Sequence, residues 1–180
     1  MNEIKKEEIV RFIQVVAEGL YPNASSPAEV DIRETFRDGR IDGRSDGLDI
    51  EVDVFDQSPG RMIGKAAQLR FAVSTIIRIG LDPDLDDDVR ITVFGDADAE
   101  RSTPPKETSP DGDLINRVVE AASLVCGGSV TSTETTETAV ISMMRIREEA
   151  ADPLKPALNR IVRAIGKTRG FPAMIFISNA

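Results

Sequence analysis

The sequence holds no histidine and no tryptophan, one cysteine and one tyrosine among 180 residues. Without histidine there is no imidazole base, no Ser-His-Asp or Cys-His nucleophile system and no His-ligated zinc. The lone Cys126 can form neither an internal disulfide nor a cysteine cluster. Its place after an apolar helix and before Gly127-Gly128 marks it as a small buried residue. No apolar run approaches the roughly 18–20 residues of a membrane span. The opening MNEIKKEEIV lacks the cationic-then-apolar order of a signal peptide. These features predict a cytoplasmic protein without a membrane partner.

Charge is unevenly spread. The net charge is −9, yet residues 57–81 and 153–180 contain no acid and carry +4 and +5, which leaves −18 elsewhere. In the first segment Arg61, Lys65, Gln68, Thr75 and Arg78 recur at helical spacing opposite the apolar positions. Arg160, Arg163 and Lys167 do so in the second, with Arg169 just beyond. The two segments are either ordinary solvated helix faces or two faces for an anionic partner.

Residues 95–113 are rich in proline and poor in large apolar side chains, which suits a linker. This divides the chain into domains at 1–95 and 113–180, joined by 96–112. Apolar spacing predicts a helix over Glu7–Leu20, strands over Glu29–Phe36 and Leu48–Val54, and near-continuous helix over Arg61–Ile79 after a Ser58 cap and Pro59. A strand follows over Val89–Phe94. The second half reads as a helix over Leu114–Val125, strands over Ser129–Thr136 and Thr138–Ile146, a helix over Pro153–Lys167 and a strand over Ala173–Ile177. Both halves have the order α-β-β-α-β. The fold class is α+β: two small units, each a three-stranded sheet with helices packed on one face, in the manner of a tandem repeat. The Asp-Gly pairs at 38–39, 42–43 and 46–47 suit tight turns.

The element order, together with SPGRMIGKAAQLRFAVSTIIR, resembles the type II KH RNA-binding domain of small bacterial proteins over about residues 5–95. Gly60-Arg61-Met62-Ile63-Gly64-Lys65 follows that family's pattern. The loop departs from Gly-x-x-Gly in its last residue: it reads Gly64-Lys65-Ala66-Ala67. The resemblance implies a non-enzymatic protein that holds single-stranded RNA without a cofactor. It implies that Gly64, Lys65, Ala66 and Ala67 clamp the nucleic-acid backbone. Arg61, Lys65 and Arg70 would meet phosphates, with Gln68 beside them, and Ile63 would line the groove for bases. Arg160, Arg163, Lys167 and Arg169 would form a second basic face. The alternative is a protein-interaction or assembly module, including a homodimer, on the same fold with RNA binding lost. Glycine in the loop permits close approach, and alanine adds a methyl there.

Other motifs are weaker. Asp82–Asp88 has aspartate at the sixth position, where a calcium loop needs glycine, so no metal site is expected. Gly166-Lys167-Thr168-Arg169-Gly170 reads as a glycine helix end flanked by cations. The threonines of 131–138 suit an exposed strand.

Overall fold

The computed structural model describes residues 1–35, 47–81, 88–99 and 109–179. Helix α1 spans Glu3–Leu20, β1 Glu29–Thr35, β2 Gly47–Asp53, α2 Gly60–Ile63, α3 Gln68–Gly80 and β3 Asp88–Phe94. A single 3-10 turn, Lys65–Ala67, joins α2 to α3. The second half continues with α4 (Gly112–Cys126), β4 (Ser129–Thr135), β5 (Val140–Ile146), α5 (Glu148–Arg169) and β6 (Ala173–Asn179).

The protein is α+β, and the two halves repeat one topology. In each three-stranded sheet the first two strands are antiparallel. The third runs parallel to the second after a helical crossover, giving orders β1-β2-β3 and β4-β5-β6. Alternation decides the faces. Leu48, Ile50 and Val52 point inward from β2, while Asp49 and Glu51 point outward, where Arg33 pairs with Asp31 and Glu51.

The halves are not tethered side by side: their helices form a common interior. α1 packs on α4 and α3 on α5, with further contacts of α1 with α5 and α3 with α4. One apolar cluster includes Phe12 and Ile76 from the first half and Val118 and Ile161 from the second. The approach is close enough that a Cβ on Gly19 would meet the Ile165 side chain at 2.8 Å. Polar contacts reinforce the seam. Arg117 makes a two-pronged pair with Glu18 at 2.8 Å, and the Lys5 ammonium donates to the Val125 carbonyl at 2.7 Å. Cys126 is buried there, with Sγ 3.4 Å from the Ile76 carbonyl.

Several boundaries differ from the sequence expectation for local reasons. α1 starts at Glu3 because Asn2 accepts the Lys5 N–H and caps the helix. α2 begins at Gly60 with Pro59 at the cap position and no side-chain cap bond, so Ser58 does not cap it. α5 begins at Glu148, ahead of Pro153, and both Pro153 and Pro156 lie inside it. Both prolines are exposed, so the carbonyls left unpaired by their missing N–H groups face water. The helix ends at Gly170, which takes the left-handed conformation of a glycine cap, as the sequence suggests. Asp111 at the end of the linker caps α4 by accepting the Leu114 N–H. Residues 36–46, 82–87 and 100–108 lie outside the described residues. They include the Asp-Gly pairs at 38–39 and 42–43, Asp46, most of the acidic run, and the linker centre. Gly47 opens β2, and Asp88 opens β3.

Candidate nucleic-acid interface

The crossover between β2 and β3 builds the candidate site. The parallel pairing brings the carboxyl ends of both strands together, and the Val54 N–H donates to the Phe94 carbonyl beyond them at 3.0 Å. α2 starts from that end and is held by Tyr21. The buried Tyr21 hydroxyl donates to the Ser58 carbonyl and accepts the Met62 N–H, each at 3.0 Å. Burial pushes the phenol up to about 12, against the opposing pull of the Met62 N–H and the Arg61 charge.

Gly64 stops α2 at φ 72°, ψ 172°, a combination open essentially to glycine alone. A Cβ there would also meet Leu69 Cβ at 2.8 Å. Lys65 and Ala66 continue the turn. Ala67 closes it in the left-handed region, at φ 60° and ψ 14°, its N–H donating to the Gly64 carbonyl at 3.2 Å. The loop thus keeps at Ala67 a backbone conformation that glycine would adopt without strain. α3 then starts at Gln68 with no acidic residue in its first turn, so the helix itself supplies no counter-charge to the positive end of its dipole.

The expected residues divide. Arg61, Ile63, Gly64 and Lys65 line a cleft of about 550 Å³ together with Gln57, Ser58 and Gly60. Lys65 and Gln68 are exposed, and Ile63 is half-buried. Arg70 lies outside that cleft. Its guanidinium sits 5.8 Å from the centre of the Phe71 ring, and it faces a second groove between α3 and β3. Arg61 is half-buried and donates to the Leu20 carbonyl at 3.0 Å, so a structural bond already engages the guanidinium.

The second basic face is also split. Arg160, Arg163 and Lys167 are exposed, and the latter two flank a shallow groove with Phe171, Pro172 and Met174. Arg169 turns away to α1, donating from Nε to the Gly19 carbonyl at 3.1 Å and from Nη2 to the Glu18 carbonyl at 2.7 Å. α1 has no basic residue in its own last turn, so Arg61 and Arg169 complete its negative end. α5 runs through the region corresponding to the Gly64–Ala67 loop without a break, so the second half has no counterpart of that loop.

Sequence reasoning missed Phe71, Tyr21 and Asn159 as organising residues. Phe71 is 60% exposed and falls at i, i+4, i+7 spacing with Thr75 and Arg78, opposite the buried stripe, so the helical period contains the signal. Asn159 on α5 bonds both backbone groups of Ile175 in β6, an interaction that no local pattern announces. Among the described residues no group of three or more carboxylate or thiol side chains is arranged to hold a metal. No helix among them is long and apolar enough to cross a membrane. No family model matches the chain, and no curated protein or solved structure matches it.

Proposed function

We propose that the protein binds single-stranded RNA at the Gly64–Ala67 loop, as a KH-like domain of the type II arrangement, and acts in the cytoplasm by binding and not by catalysis. The observation that carries this reading is the loop itself. Two helices meet beside a three-stranded sheet through a turn whose fourth residue, Ala67, holds φ 60°. In this reading the loop backbone and the start of α3 receive a phosphate, exposed Lys65 adds charge, and Gln68 bonds the sugar-phosphate chain. Ile63 offers an apolar wall for a base in the adjoining cleft. Arg61 acts by holding α2 to α1, and phosphate contact falls to Lys65. The acidic remainder of the chain repels phosphate away from this face, so binding is local and salt-sensitive.

Fluorescence anisotropy with a labelled oligouridylate at about 50 mM salt tests the reading. Binding should occur, and Lys65→Glu with Gln68→Glu should weaken it at least about tenfold without changing the thermal midpoint. Absence of binding, or indifference to the double substitution, would refute it.

A second reading, an assembly module on the same fold, is favoured by the outer face of the second sheet. Met143 and Phe176 pair in register on β5 and β6 and are 39% and 54% exposed. Light scattering after size-exclusion chromatography separates the two: a dimer that dissociates on Phe176→Ser supports assembly.

A further inference from the structure

The two halves treat the outer edges of their third strands differently. In the second half, Asn159 on α5 reaches β6. Its amide donates to the Ile175 carbonyl at 2.9 Å, and its oxygen accepts the Ile175 N–H at 3.0 Å. One side chain therefore stands in for a neighbouring strand residue and occupies that edge at Ile175. In the first half, α3 passes β3 in the same topological position without doing so. Ser74 and Thr75 spend their hydroxyls on the Arg70 and Phe71 carbonyls of their own helix. Among the described residues no α3 side chain bonds the β3 backbone, and β3 is the last strand of its sheet. Between them lies a groove of about 410 Å³.

We propose that this groove is a peptide-docking site, in which an extended acidic segment of a partner protein adds as a fourth strand to the edge of β3. Strand addition pairs the outward N–H and C=O groups of β3, which have no partner strand among the described residues, in succession, as neither a nucleotide chain nor a side chain can. Charge selects the occupant. Among the described residues that line the groove, Arg70, Arg78 and Arg90 stand beside one carboxylate, Asp88. Arg78 pairs with Asp88 at 2.9 Å, and Arg90 pairs with Asp88 at 3.9 Å and with Asp49 of β2 at 4.0 Å; all three pairs are exposed, so exchanging these carboxylates for those of a peptide costs little. Exposed Phe71 gives an apolar contact to alternate side chains of the incoming strand.

The test uses the full chain and two synthetic peptides, one alternating glutamate with valine and one alternating lysine with valine. Hydrogen exchange at residues 88–94 is followed during titration. The glutamate peptide should slow exchange there and the lysine peptide should not. Arg78→Glu with Arg90→Glu should weaken glutamate-peptide binding at least about tenfold, whereas Lys65→Glu should leave it intact. No protection by the glutamate peptide, or equal protection by the lysine peptide, overturns the proposal. Displacement of the peptide by oligouridylate assigns the groove to RNA and overturns it too. Protection of the edge without peptide in a dimeric sample assigns it to a second copy, with the same consequence. Because the RNA reading depends on Lys65 and this one on Arg78 and Arg90, either can fail while the other stands.

Discussion

The Tyr21 hydroxyl accepts the Met62 N–H and so ties the residue after α1 to the helix that precedes the Gly64–Ala67 loop. Its proton goes to the Ser58 carbonyl, so one phenol bridges the end of α1 and both sides of the α2 start. Tyr21→Phe keeps the ring and removes both bonds. It should cost about 1–2 kcal/mol in urea unfolding, and local hydrogen exchange should rise at residues 58–64 before it rises elsewhere. Unchanged exchange there would show that the hydroxyl does not hold α2.

Ala67→Gly has the opposite sign. Left-handed backbone costs a residue with a Cβ roughly 1–2 kcal/mol, part of which glycine gives back as chain entropy. The substitution should therefore stabilise the protein by about 1 kcal/mol, a rise in melting temperature readable by calorimetry. Gly64→Ala should be clearly destabilising, because its Cβ would overlap Leu69. Under the RNA reading Ala67→Gly should also tighten oligouridylate binding, since the methyl leaves the contact surface.

The two cations near the end of α5 should behave differently when truncated. Arg169 bonds the Glu18 and Gly19 carbonyls at the negative end of α1, so Arg169→Ala should cost about 2 kcal/mol. Exposed Lys167→Ala should remain within about 0.5 kcal/mol. Chemical denaturation of both variants under one buffer gives the comparison.

Asn159→Asp keeps an acceptor for the Ile175 N–H but sets a carboxylate against the Ile175 carbonyl. A loss of about 1–3 kcal/mol is expected, with faster exchange in β6. Asn159→Leu should additionally increase aggregation, because it leaves the edge open beside an apolar side chain.

Alkaline stability follows from two buried acids. Burial pushes Cys126 from an ordinary 9.0 and Tyr21 from 10.0 up to about 12. Each holds its proton more tightly when folded. Their contribution is complete below the unfolded values and is lost as pH rises from about 9 to about 12. Denaturant midpoints should fall across that window. Cys126 should resist alkylation at pH 8 until the chain is unfolded.

Element type was legible wherever a side-chain period met a cap. The stripe from Ile9 to Leu20 and the alternation from Leu48 to Val52 carry their own geometry, and Gly170 ends α5 as its sequence context implies. Helix starts were less legible. The first turns of α1 and α5 are polar or proline-bearing, and burial of Ala150 and Ala151 depends on neighbours that are remote in sequence. The loop follows from local pattern, yet Arg61, expected beside it, and Arg169, expected on the second basic face, serve the carbonyls of α1. An arginine that caps a distant helix and one that awaits a phosphate look alike in sequence, because the difference lies in what the fold brings near.

The seam between the halves has a consequence for synthesis. The negative end of α1 is completed by a guanidinium from α5, and Gly19 of α1 rests against Ile165. α1 therefore reaches its final environment only after α5 has been made. Such pairings, remote in sequence, raise contact order. The first half alone on the ribosome would expose the apolar side of α1 and α3, so the two halves complete their shared core only once α5 has emerged.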